Sequence, residues 1–147
     1  ILITDKTDKI NKIIMKKINS ILIKGFYFTN LILIVFYLYP GSIFGCYLYN
    51  DCSITPQVTR DFIISPKYLI SSNHLYVFSI ISVLGIFTYQ NTKKIKFLII
   101  YLFLLSIILE LFHLIIPKRG FEWSDLFGNI LGVIFVIIIY KVKEKYV

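Results

Sequence analysis

Alanine is absent from this 147-residue chain, and charge is scarce, with 16% of residues Asp, Glu, Lys or Arg. A soluble domain carries about 25% charged and ~45–50% apolar residues. Here the hydrophobic fraction is 57% and the mean hydropathy +0.77. A chain of this length cannot hide so much apolar surface in one soluble core, which excludes an ordinary soluble enzyme. Disorder is excluded as well, because it requires low hydrophobicity. The missing alanine goes with 30 isoleucines. Alanine codons are GC-rich and isoleucine codons AT-rich, so part of the composition reads as coding bias. No phosphate-cradling glycine loop, nucleophile elbow or zinc-finger spacing is present. Internal repeats and low-complexity tracts are also missing. The net charge is +8, but the lysine patches lack a nucleic-acid-binding fold context, and no nucleic-acid partner is expected.

What is present is a set of long apolar runs separated by short basic ones. A membrane-spanning helix needs ~20 mostly apolar residues. Four stretches qualify, at residues 21–39, 73–89, 95–116 and 124–140. Lys24 interrupts the first near its start, where it can snorkel. The predicted fold is all-α, an integral membrane four-helix bundle with the lipid bilayer as its partner. Residues 40–72 carry Pro40, Pro56, Pro66, Gly41 and Gly45, so an irregular loop without a fifth helix is expected there. Residues 1–14 precede the single methionine, Met15, and the basic pair Lys16 and Lys17. They read as a basic tail, non-native or disordered, ahead of one domain over residues 15–147.

Orientation follows from the distribution of Lys and Arg. With the N-terminus inside, the inner segments hold 12 basic residues; the outer ones hold 4, namely Arg60, Lys67, Lys118 and Arg119. This predicts a multi-pass protein of the bacterial plasma membrane with both termini cytoplasmic. Tyr37, Tyr39, Tyr89, Trp123 and Tyr140 lie near span ends, where aromatic belts form. Cys46 and Cys52 fall in the outer loop, where a disulfide and two free thiols are both compatible with the spacing. The run Ile43-Phe44-Gly45-Cys46 faintly resembles a lipoprotein cleavage box, a reading that would lipidate Cys46.

The polar residues within the spans are few and patterned. Glu110 is the only acidic residue deep in an apolar run. Helical spacing places Ser106, Glu110, His113 and Pro117 on one face, and Asp125, Gly128, Asn129 and Gly132 on another. Gly128 and Gly132 form a small-xxx-small pair that permits close helix packing. The topology gathers His74, Glu110, His113, Arg119, Asp125 and Asn129 at the outer end of the bundle. Arg119 is expected to fold back onto a carboxylate, with Asp125 favoured over Glu110.

The stretch from Glu110 to Gly132 resembles the signature of VanZ-like membrane proteins. That pattern runs Glu, two residues, Gln, then Pro, Arg, Asp, Asn and Gly. Glu110, Pro117, Arg119, Asp125, Asn129 and Gly132 match at the same spacing, and His113 stands where the Gln is usual. Upstream, His74 and Phe78 match an Asp-Lys-x-x-His-plus-aromatic pattern, with Ile70 and Ser71 replacing the Asp and Lys. The family's founding member is associated with teicoplanin resistance. The resemblance implies a cell-envelope context and, as ligand, a lipid-linked or cell-wall-related anion.

Three readings of the cluster follow. In the first, the protein modifies an envelope ligand: Glu110, Asp125 and His74 are catalytic candidates, and Arg119, Asn129 and His113 bind the ligand. In the second, it is a non-catalytic binder or scaffold, the polar residues forming a clasp between the third and fourth spans. The third is a metal site built on Glu110-x-x-His113 with His74 and Asp125. One such motif is weak and the family's Gln is a poor ligand, so no metal and no cofactor is expected. Transport is disfavoured, since no charged path reaches the inner face.

Overall fold

The computed structural model describes residues 2–54 and 69–146, with side chains from residue 10 onward. Arg60, Lys67, Pro56 and Pro66 lie outside the described residues. The described chain is helical without strands: α1 Leu2–Leu38, α2 Ile43–Tyr49, α3 Ser72–Tyr89, α4 Ile95–Phe112 and α5 Trp123–Tyr146. Four of these are long and apolar enough to cross a membrane, with mean hydropathy from 1.2 in α3 to 2.5 in α4. Large apolar side chains such as Leu31, Val35, Phe97, Ile100, Phe135 and Ile138 face outward. Such a surface is stable against lipid, where helices satisfy their own backbone hydrogen bonds.

Two features depart from the sequence expectation. The first is the N-terminal region. Residues 2–14, expected as a tail, continue α1 without a break. At ~1.5 Å per residue this 37-residue helix is roughly 55 Å long, well beyond a ~30 Å hydrocarbon core. The second is α2, a short fifth helix where none was expected. Pro40 precedes it rather than interrupts it. Ser42 caps its N-terminus by accepting from the Gly45 amide at 3.0 Å. Asn50 ends it in the left-handed conformation at φ 51°. The Ser42 amide donates to the Cys52 carbonyl at 2.7 Å, and a Cys46–Cys52 disulfide closes the unit. Both thiols are therefore taken, which leaves Cys46 no free sulfur for lipidation.

Helix α3 packs against α1, α4 and α5, and α4 also touches α1 and α5. The closest approach is between α3 and α5. A Cβ built on Gly128 would meet the Ser71 carbonyl oxygen at 2.5 Å, and one on Gly132 the Leu75 carbonyl oxygen at 2.5 Å. The glycine pair thus serves the second and fourth spans. Phe78, Ile81, Leu102, Leu109 and Val133 fill the shared core.

Candidate functional site

Helix α4 stops before Pro117, which has no amide proton to donate and disfavours helix at the residue before it. The chain tightens there: the amides of His113, Leu114 and Ile115 each donate to the carbonyl three residues back. This tight winding stacks His113 over Glu110, with Nδ1 3.3 Å from Glu110 Oε1. Both side chains are buried, Glu110 at 0% and His113 at 2% exposure. Asp125 enters in the first turn of α5, where a carboxylate suits the positive end of the helix dipole. His74 sits in the first turn of α3, and its Nε2 lies 3.3 Å from Asp125 Oδ2.

Asn129 ties the helices together. Its Nδ2 donates to the Ser106 carbonyl of α4 at 3.2 Å. That bond fixes the amide, because a carbonyl only accepts, and turns Oδ1 toward α1 and α3. There Oδ1 accepts from the Tyr37 hydroxyl at 2.8 Å and lies 3.0 Å from His74 Nδ1. His74 Nδ1 is also 2.8 Å from the Tyr37 oxygen. His113 Nε2 reaches the Tyr37 carbonyl at 3.1 Å, and the two rings stack with centroids 5.5 Å apart. The described side chains His74, Glu110, His113, Asp125 and Asn129 thus converge at one end of the bundle, joining all four long helices.

Tyr37 lies near a span end, where a belt aromatic is expected; it is instead the buried hub of this network, 8% exposed. Its hydroxyl needs partners, and the polar ends of α3 and α5 supply them. The signal lay in the spacing: Phe26, Asn30, Leu33 and Tyr37 are the buried face of α1 at helical intervals. Glu122 was also missed. Its backbone amide donates to Glu110 Oε1 at 3.2 Å, a contact no side-chain pattern encodes.

The expected Arg119–Asp125 pair is corrected by the structure. Arg119 donates instead to the Phe36 carbonyl at 3.1 Å and the Tyr39 carbonyl at 3.3 Å, while His74 takes Asp125. The reason is local: α1 ends with orphan carbonyls that need donors, and the guanidinium sits beside them. Half-burial pulls Arg119 below the usual arginine value, and the Asp125 and Glu110 carboxylates pull it back; it remains a cation at neutral pH. Two of its five N–H groups serve α1.

A cavity of about 780 Å³ opens between α1, α2 and α3. Ile32, Phe36, Phe44, Val77 and Ile80 make its walls apolar, and His74, His113 and Arg119 line its polar end. Among the described residues, His74, Glu110 and Asp125 each offer a ligand atom within 4.8 Å of the others. Glu110 Oε2 is buried without a hydrogen-bond partner.

Against known proteins, the family model described as VanZ/LLP1 matches residues 4–144. No curated protein and no solved structure matches.

Proposed function

The chain belongs to the VanZ/LLP1 family, and on that premise we propose that it receives an anionic amphiphile at the outer face of the bacterial plasma membrane. The hydrocarbon tail lies in the groove between α1 and α3, and the headgroup meets Arg119. The carrying observation is the division of the cavity, apolar along the spans and polar where His74, His113 and Arg119 line it. A lipid-linked cell-wall precursor has the same division, and engagement of one would link the protein to glycopeptide-type resistance. Two independent features support the outward orientation. One is the 12-to-4 asymmetry of basic residues. The other is the Cys46–Cys52 disulfide at the same end, since disulfides persist in oxidising compartments.

The residue roles follow from exposure. Arg119, half-buried and cationic, grips the headgroup. His74, whose side chain is 15% exposed and backed by Asp125, is the group within reach for proton transfer if the ligand is modified. Glu110 and Asn129 are closed off, His113 meets the cavity only at its edge, and all three act as positioning residues.

A second reading has its own observation. Arg119 already caps α1, as it would in a purely structural clasp. Binding of a polyprenyl phosphate and of the uncharged polyprenol to detergent-solubilised protein separates the two. The amphiphile reading expects Arg119→Ala to weaken the phosphate by about tenfold or more, one desolvated charge-assisted contact, and to leave the polyprenol unchanged. Equal affinities for both lipids in both proteins would leave only the clasp.

A further inference from the structure

We propose that His74, Glu110 and Asp125 form a site for one divalent transition-metal ion. The argument starts at the Ser106 carbonyl. It fixes the Asn129 amide, so Oδ1 faces the His74 ring at 3.0 Å. An acceptor at that distance requires hydrogen on His74 Nδ1, and the Tyr37 hydroxyl, its own proton given to Asn129, accepts from the same nitrogen. In its neutral form His74 then presents a bare Nε2 lone pair to Asp125 Oδ2 at 3.3 Å; a second proton on Nε2 would make the pair a salt bridge, and a metal ion takes the place of that proton. An imidazole whose other nitrogen donates to a fixed oxygen is the usual arrangement of a metal-bound histidine.

Glu110 supplies the independent observation. It is 0% exposed. Its Oε1 accepts from the Glu122 amide and lies 3.3 Å from His113 Nδ1, while Oε2 has no partner. A buried carboxylate oxygen without a donor is costly. One ligand atom from each of the three residues lies within 4.8 Å of the other two. Donors ~2.0–2.1 Å from a tetrahedral ion stand roughly 3.3 Å apart, which matches the His74–Asp125 separation; Glu110 closes on the ion by a small side-chain shift. Two carboxylates and one neutral imidazole are the ligand chemistry of zinc or manganese, and they neutralise a divalent charge. Three protein ligands leave a coordination position open, and with Nε2 on the ion His74 would hold the metal rather than move a proton. His74 lines the amphiphile cavity, so that position is available to a headgroup oxygen. This last use rests on the amphiphile reading; the metal site does not.

His113 is not part of the set, although Glu-x-x-His spacing suggests it. Its Nε2 donates to the Tyr37 carbonyl and its Nδ1 already faces Glu110 Oε1 at 3.3 Å, so neither ring nitrogen is turned toward His74 and Asp125. It orients Glu110 from behind.

The test uses full-length protein, purified in detergent without a histidine tag, stripped with chelator and reloaded with Zn²⁺, Mn²⁺, Co²⁺ or Mg²⁺. Elemental analysis should find about one Zn²⁺ per chain, Zn²⁺ should raise the melting temperature, and Co²⁺ should give the visible absorption of a low-coordinate site. Asp125→Asn and His74→Gln should each weaken Zn²⁺ by tenfold or more. Thr88→Val, remote from the cluster, should bind Zn²⁺ as wild type does, and Zn²⁺ binding is read with no lipid phosphate present, which keeps this result separate from the headgroup test. Wild-type protein that takes up no ion and shows no thermal shift would overturn the proposal. So would stoichiometric binding unchanged in both folded variants. If those variants fail to fold, the Co²⁺ spectrum of wild type decides alone: imidazole and carboxylate ligation supports the site, and six-coordinate aquo-type absorption refutes it.

Discussion

The two ends of the bundle are built differently from the same kind of helix. At the end bearing Lys93, Lys94 and Lys96, packing is aromatic and aliphatic. Phe26 meets Tyr89 and Tyr101 edge-on at 5.8 and 6.3 Å, and Gly85 and Leu98 close around it. The buried polar groups there, Asn30 and Thr88, are neutral, and each has one bond within its own helix and one to a neighbouring helix. At the other end the described chain buries Glu110, His113, Asn129 and Tyr37 together. Helices of this composition hold together by apolar packing, as the lysine end does. Burying ionisable groups in a membrane protein costs several kcal/mol and is characteristic of functional positions. The contrast teaches that the polar end is there for more than cohesion.

That contrast can be broken by mutation. Asn129→Leu should have the largest effect, since it strips partners from Tyr37, His74 and the Ser106 carbonyl at once. A loss of about 3–5 kcal/mol in unfolding free energy is expected, as for other buried networks missing a member. Thr88→Val, at the lysine end, should cost about 1 kcal/mol. Equal costs would erase the distinction between the two ends.

A smaller effect separates two glycines. Gly132→Ala drives a Cβ against the Leu75 carbonyl and should destabilise by about 1–3 kcal/mol through forced separation of α3 from α5. Gly25→Ala meets nothing within 4 Å and should stabilise α1 by roughly 0.5–1 kcal/mol. Melting temperatures of the two variants should move in opposite directions.

The smallest effect lies in the disulfide loop. Asp51 is held below the usual carboxylate value by the Ser53 hydroxyl and amide. Its folded value is depressed, so its contribution is present above the unfolded carboxylate value of ~3.9 and is lost as pH falls through the folded one. The Ser53 amide resonance should titrate in that acid range, and Asp51→Ala should abolish the titration without altering the opposite end.

Much of the fold was legible because length and hydropathy alone specify spans. Helices α3 and α5 begin within one residue of their expected positions. The α4 end was overrun because residues 114–116 are apolar, and only the Pro117 backbone constraint marks where helix gives way to turns. Periodicity placed Glu110 with His113 and Asp125 with Asn129, since each pair shares one helix. Partners across helices were less legible. Tyr37 looked like an interface aromatic because its location near a span end outweighed the Phe26–Asn30–Leu33–Tyr37 stripe. Arg119 was paired by charge, whereas unsatisfied carbonyls at the end of α1 hold it. Helix α2 hid between prolines because its stability comes from the Ser42 and Asn50 caps and a disulfide, none of which produces a hydrophobic period.

The most direct test of the account is photocrosslinking with a polyprenyl phosphate carrying a diazirine in its chain, mapped by mass spectrometry on the membrane-embedded protein. The account predicts adducts concentrated on the cavity faces of α1 and α3, at residues such as Phe36, Val77 and Ile80, reduced by excess polyprenyl phosphate and by Arg119→Ala. Adducts spread evenly over outward residues such as Phe97, Phe135 and Ile138, unaffected by competitor, would contradict it.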